Sequence, residues 1–395
     1  MNDRSSMKKL VLPLIGILLL AINAHSQNTT LIDLEHIREV KEHKFFFKNE
    51  ISELMERADA LLDMQAVSVM DKEMVASSGD KHDYMSQGPY WWPDPDKPDG
   101  LPYIRRDGEK NPEIELISDK KNLHKLIDAV DLLGLAYFYS EDEKYAKKAS
   151  DLLHTWFIDP ATRMNPNLNF GQAIPGRTEG RGIGIIETRD FGYLLDAITL
   201  LSTSEAMTQK QHESLISWVK DYLDWLINSQ HGKNEAVNGN NHTTWYFVQT
   251  MSMALFTEQH ALAQELQANG LKLILDSQIE ADGSQPEELA RTRTWDYSSM
   301  NLMAIYYYAI LSEKVGKAVW DYNDQIIRKA LDFLLPYLNE ENEWKYQQIT
   351  EFNVERLFPV LIIAANHYSE GIYEHILYQK YHLPEDELML TLRFP

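Results

Sequence analysis

The chain has no cysteine among its 395 residues. Disulfides, thiol nucleophiles, Cys-ligated zinc and the lipid-carrying cysteine of a lipoprotein are all excluded. Core burial alone must then hold the fold, which a chain of roughly 370 residues can manage. Basic residues are also scarce: 38 Lys and Arg stand against 60 Asp and Glu, for a net charge of −22. Nucleic acid is therefore not an expected partner, because phosphate contacts need Lys and Arg. An anionic sugar is not excluded, since a local basic cleft can sit in an acidic surface. Long apolar runs are missing too, except at the start. Lys8 and Lys9 precede the apolar stretch Leu10 to Ile22, and Ala24 and Ser26 follow at the spacing of a cleavage site. This predicts a signal peptide over residues 1–26 and a mature start at Gln27. The stretch is shorter than the roughly 20 residues of a membrane span. A periplasmic or secreted protein is expected, with no membrane partner after cleavage.

What is present is helical periodicity. Apolar residues recur at three- and four-residue steps over Ile51–Met64, Leu123–Tyr139, Glu143–Phe157, Phe191–Leu201 and His212–Ile227. The pattern continues over Trp245–Phe256, Ala261–Leu275, Met300–Val315, Ile326–Leu338 and Val354–Tyr368. Short polar breaks such as Ser140-Glu141-Asp142 read as turns of successive αα-hairpins. Four longer irregular stretches interrupt them: Ala76–Glu115, Asn165–Ile186, Ser229–Asn241 and Asp276–Arg293. Long loops in a compact domain are commonly functional, and the aromatics and arginines here argue against disorder. The expected fold is all-α: an (α/α)n toroid or incomplete barrel of helical hairpins, with long loops on one face. No linker divides it, so residues 27–395 are expected to form one domain.

Two segments carry chemistry. Asn238–Trp245 contains Asn241 and His242, and Glu288–Tyr297 contains Arg291, Arg293 and Tyr297. An amide, an imidazole, a guanidinium and a phenol suit the removal of a weakly acidic proton beside a carboxylate. In a 1,4-linked uronic acid polymer the C5 proton is such a proton. Amide and guanidinium donors neutralise the carboxylate and stabilise the developing enolate-like charge. A base then takes the proton and an acid protonates the departing O4. Asn241 and Arg291 fit the first role; His242 and Tyr297 fit the proton transfers. This chemistry needs no metal, and no cofactor is expected. Each piece also has a structural reading: Asn240 or Asn241 as a helix cap, Arg291 and Arg293 as partners of Glu287 or Glu288. Both segments stand at loop-to-helix junctions, where sites are commonly placed.

Asn240-Asn241-His242, followed by Glu288-Leu-Ala-Arg-x-Arg-x-x-x-Tyr297, resembles the alginate lyase superfamily of α/α-toroid polysaccharide lyases. The loop Ser78–Tyr84 with Pro89-Tyr90-Trp91-Trp92-Pro93-Asp94-Pro95 is similar to that superfamily's N-terminal signature. The resemblance covers residues 75 to 310 and is nearest to the alginate and glucuronan lyases of polysaccharide lyase family thirty-eight. It implies that Asn241 and an arginine neutralise the carboxylate, and that Tyr297 is the acid. It implies further that Tyr297 is also the base when the proton and O4 lie on one face, and His242 the base for the opposite geometry. A tyrosine base needs its pKa lowered from about 10, which nearby Arg and His charges would do. The Arg-to-Tyr spacing leaves open whether Arg291 or Arg293 binds the carboxylate.

In the loop, Tyr84, Tyr90, Trp91 and Trp92 offer flat faces for sugar rings, while Lys81, His82 and Arg105 offer charge for carboxylates. Alternatively, the tryptophans pin the loop to the toroid. Arg181 and Arg293 complete the expected binding set, for an anionic polysaccharide: alginate first, glucuronan or another polyuronate second. Two other classes compete. A glycoside hydrolase on the same scaffold would use a carboxylate pair from Glu187, Asp190, Glu287, Glu288 and Asp296. The hydrolase would leave the Asn-His, Arg and Tyr segments unexplained, and a non-catalytic glycan-binding protein of an uptake system would usually carry a lipid-anchored cysteine, which this sequence lacks.

Overall fold

The computed structural model describes residues 29–338, 342–368, 371–377 and 391–394. The signal-peptide reading of residues 1–26 lies outside them. The expected helices are present, in the order α1 (Leu34–Glu42), α2 (Lys48–Ala60), α3 (Asp119–Ser140), α4 (Glu143–Leu153), α5 (Phe191–Leu201) and α6 (Gln209–Asn228). They continue as α7 (Gln230–Ala236), α8 (Asn241–Phe256), α9 (His260–Gly270), α10 (Pro286–Leu289), α11 (Thr294–Lys314), α12 (Tyr322–Leu334) and α13 (Phe358–His367). Polar caps start some of them: Asp33 accepts from the Glu35 and His36 amides, and Thr208 and Gln211 form a reciprocal capping box.

Burial sorts the helices into two layers. α5, α8 and α11 are buried on nearly every side, from Leu194 to Leu201, Thr243 to Ala254 and Thr294 to Ser299. A helix apolar or buried all round belongs inside a double layer, whereas one with a single apolar stripe lies outside. α2, α4, α6 and α12 bury only one stripe, such as Leu215, Trp218, Val219, Tyr222 and Leu226 of α6. Along the inner layer α3 packs on α5, α5 on α8, and α8 on α11. Gly134 of α3 permits the first of these approaches, since a Cβ there would stand 2.9 Å from the Ala197 Cβ. Residues 391–394 return to the start of the chain. The Leu392 carbonyl accepts from Tyr139, Arg393 pairs with Asp131, and Thr391 O lies 2.8 Å from His36 Nε2. The architecture is a helical toroid of successive hairpins.

This topology explains why the long loops meet. Each inner helix is separated from the next by an outer helix running back, so α3, α5, α8 and α11 all begin at one end. The four irregular stretches are the segments that lead into those four helices. Within them, two short sheets form: β1 (Met85–Gln87) pairs in parallel with β4 (Phe170–Ala173), and β2 (Trp91–Trp92) pairs antiparallel with β3 (Ile104–Arg105). The stretch expected to be irregular over residues 229–241 contains α7. Its sequence is too short and polar to show a stripe.

Candidate active site

Asn241 opens α8, and its side chain is fully buried. Asn240 caps that helix by accepting from the His242 amide. Asn241 itself faces Glu288 of α10. Its backbone N–H donates to Glu288 Oε1 at 2.6 Å, and Nδ2 lies 3.0 and 2.9 Å from the two carboxylate oxygens. Those oxygens are only about 2.2 Å apart, so they subtend a far narrower angle than the ~120° between the two amide hydrogens. One N–H is therefore shared between both oxygens and the other remains to donate elsewhere. Glu288 fixes the amide orientation, because Oδ1 facing the carboxylate would be repelled. Burial raises the Glu288 pKa, and the Asn241 donors oppose that rise.

His242 is held in the same manner. Its Nδ1 lies 2.6 Å from Oε1 of Glu235, which is 1% exposed on α7. Asn238 and Thr243 bond the Glu235 side chain and carbonyl. A carboxylate on Nδ1 assigns the proton to that nitrogen and leaves the Nε2 lone pair free.

Tyr297 stands in the first turn of α11. The Arg291 guanidinium lies 4.0 Å from the centre of its ring, and its hydroxyl is 2.7 Å from the Tyr90 hydroxyl. Burial, and then Tyr90, push the Tyr297 phenol well above its ordinary value; the Arg291 charge opposes this without reversing it. The expectation of a lowered phenol pKa is thus corrected. Desolvation of the anion outweighs the nearby cation, and the resting phenol keeps its proton.

The two arginines are separated by their partners. Arg291 reaches Asp107 through Nε at 3.3 Å and a terminal nitrogen at 3.0 Å. Arg105 binds the same carboxylate at 2.7 Å. Burial raises the Asp107 carboxyl, but Arg291, Arg105 and Thr292 hold it at about 2. Arg293 instead pairs with Asp296, which also binds Arg356 at 2.9 Å and Thr350. Arg291 stacks on the Tyr297 ring; Arg293 is tied into the segment at residues 350–356.

The aromatic loop divides likewise. Tyr84 was expected to offer a face to sugar, yet it is fully buried with its hydroxyl on Glu187. Its ring sits beneath the loop, where tight packing leaves no room for a ligand, so that expectation is withdrawn. The Lys81 backbone carbonyl accepts from the Lys72 ammonium and His82 Nδ1 lies 2.6 Å from the Arg163 carbonyl, with no recorded contact from either residue to the Asn241–Tyr297 group. Trp92 is covered by Arg106 and bonds the Glu109 carbonyl. Trp91 stays half-buried with Arg177 and Arg181 at 5.2 and 5.9 Å from its ring. Gly88 lets the loop pass, because a Cβ there would meet Trp91 at 2.8 Å and Arg181 at 2.9 Å. Arg181 bonds the carbonyl and side-chain oxygens of Gln172, a residue held at φ +49°. Among the described residues no carboxylate lies within ion-pair distance of Arg181. Burial, then the Arg105 charge, pull its guanidinium down to about 10.

Sequence reasoning missed Glu235 and Asp107. No spacing rule marks either, since α7 and the loop after β3 carry them to their partners only in the folded toroid. The carboxylates named for a hydrolase are mostly engaged. Glu187 binds Tyr84, Ser86 and Lys120; Asp190 lies beside Arg189 and His124; Glu288 and Asp296 are occupied as above. Cavities of about 780 and 570 Å³ lie elsewhere, lined by Tyr337 and Trp344 and by Leu31, Trp320 and His367. The chemistry, not the volume, marks the site.

A buried amide, a carboxylate-held imidazole and a cation-stacked phenol stand at one end of a helical toroid, and by its family the chain is a polysaccharide lyase. The alginate lyase family profile matches residues 68–344, and the chain belongs to that family. It is similar to an alginate lyase from Bacteroides ovatus at 40% identity and a TM-score of 0.88, covering 92% of this chain and 99% of that one. Alginate lyase A1-III of Sphingomonas species A1, in a variant complexed with a tetrasaccharide, shares the fold at 14% identity and a TM-score of 0.50. That match covers 79% of this chain and 86% of the other. No curated relative matches the chain.

Proposed function

We propose that this lyase cleaves 1,4-linked polyuronate, with alginate as the leading substrate, by β-elimination. The spare N–H of Asn241 and the Arg291 guanidinium neutralise the substrate carboxylate. His242 Nε2 takes the C5 proton, the C4–O4 bond breaks as the C4–C5 double bond forms, and Tyr297 gives its proton to O4. Proton and electron counts close without a co-reactant. The observation that carries this reading is the buried Asn241–Glu288 contact, which aims an amide donor while leaving one N–H unused. Such preorganised donors cost no reorganisation as charge develops.

The raised Tyr297 pKa supports the acid role directly. A base role for Tyr297, for sugars whose proton and O4 lie on the same face, demands that the phenol ionise only once substrate is bound. Arg181 and Trp91 supply a charged and an aromatic contact for a neighbouring uronate. The B. ovatus relative's alginate lyase activity supports alginate as the substrate. A signal peptide over residues 1–26, and hence a periplasmic or secreted location, remain part of this proposal. The test is Tyr297→Phe assayed on polymannuronate, polyguluronate and glucuronan by ultraviolet absorbance of the unsaturated product. Loss of turnover with substrate binding kept is expected. Full turnover on every polymer would overturn the assignment.

A further inference from the structure

The turn joining α1 to α2 carries His43-Lys44-Phe45-Phe46-Phe47-Lys48. Phe47 packs against the core, but Phe45 and Phe46 are 85% and 78% exposed. Their rings stand edge to face at 5.8 Å. Nothing in the lyase mechanism uses them. Lys41 pairs with Glu141 at 2.9 Å and lies over the Phe138 ring, which fixes this turn beside the C-terminal end of α3. The N-terminal end of α3 lies under the cleft loops, where Asp119 accepts from Met85 and Lys120 meets Glu187. At about 1.5 Å per residue, the helix sets the two ends on the order of 30 Å apart. The aromatic tip therefore belongs to the end of the toroid opposite the cleft.

We propose that the Phe45–Phe46 turn seats this end of the protein on an anionic lipid surface. Three observations select that partner. The tip is a convex turn, so it fits a yielding layer better than a preformed groove. Two exposed rings offer roughly 300 Å², well short of the ~800 Å² per partner that a stable protein pair needs. The run from His43 to Lys48 contains no acid, and Lys44 and Lys48 are exposed with no ion pair among the described residues. The flanking Glu39, Glu42 and Glu50, and the overall acidity, would otherwise repel such a surface. Aromatic rings that enter the headgroup boundary, flanked by lysines for anionic lipid, are the composition of an interfacial contact. No helix among the described residues is long and apolar enough to cross a membrane. The proposed contact is peripheral and would add a membrane surface to the polysaccharide as a partner. Seated in this way, the loop end of the toroid that carries Asn241 and Tyr297 faces the solution.

The experiment is co-sedimentation of the whole processed chain with phosphatidylcholine vesicles, with and without phosphatidylglycerol. Binding to the anionic vesicles is expected, falling on the order of tenfold for Phe45→Ser/Phe46→Ser. Lys44→Gln/Lys48→Gln should remove the preference for phosphatidylglycerol. Turnover of soluble polyuronate should be unchanged in both, which also verifies their fold. Phe45→Ser alone keeps the test decisive if the double change disturbs packing. Failure of the unaltered protein to sediment, or undiminished binding by the phenylalanine variants, would overturn the proposal. So would a dimer that dissociates on Phe45→Ser, which would assign the tip to a second copy of the chain.

Discussion

Asn241 and His242 are braced by the toroid itself, whereas Arg291 and Tyr297 are braced by a loop from far away in sequence. On the first side Glu288 and Glu235, each 1% exposed, sit on short helices beside α8. On the second side Asp107 and Tyr90 come from the long stretch between α2 and α3 and reach across to α11. The first pair is packed in place with the core. The second holds only while the loop is docked, and such segments open at lower free energy than packed helices. The difference teaches a division of labour. In the proposed mechanism Asn241 and the base His242 are held from the helical side, while Arg291 and the acid Tyr297 are completed when the aromatic loop is in place.

Variants on the two sides should therefore fail differently. Asn241→Ala removes a preorganised donor and should lower kcat by about 10²–10³, and it should also lower stability by leaving the buried Glu288 carboxylate without its side-chain donor. Stopped assays of unsaturated product would measure it. Equal effects on KM alone would show that Asn241 binds without assisting the chemistry. Glu235→Gln should cost on the order of a hundredfold, the lower end of a general base's contribution, and should shift the pH profile of kcat/KM. A purely structural Glu235 would lower the melting temperature and leave that profile in place. On the loop side, Tyr90→Phe leaves the Tyr297 hydroxyl without its partner and should cost about 1 kcal/mol, under tenfold in rate. If it cost as much as Glu235→Gln, the division between the sides would collapse.

The smallest effect expected is on acid stability. Burial raises the Asp107 carboxyl, but its cationic partners win and hold it at about 2, below the ~3.9 of an unfolded aspartate. The unfolded chain binds the proton first as pH drops, so this contribution is complete above about pH 4 and is lost as pH falls toward 2. Chemical denaturation across that window should show the slope in the unaltered protein and a shallower one in Asp107→Asn.

Much of this was readable from the residues. The inner helices announced themselves through apolar spacing, and Asn241, His242, Arg291 and Tyr297 stood out as a chemical set. Their braces did not. Glu235 lies on a helix too short to show periodicity. Asp107 and Tyr90 meet their partners across separations of 184 and 207 residues, which only the tertiary fold decides. Tyr84 looked like Tyr90 in sequence, yet one is sealed over Glu187 and the other reaches Tyr297. The phenol pKa went the opposite way for a related reason: proximity of Arg291 was foreseeable, but the depth of burial was not.

The most direct test of the account is digestion of purified alginate in ¹⁸O-labelled water, with the new chain ends examined by mass spectrometry. Elimination predicts one unsaturated sugar per cleavage and no solvent oxygen at the break. Saturated ends carrying ¹⁸O would mean hydrolysis and would contradict it.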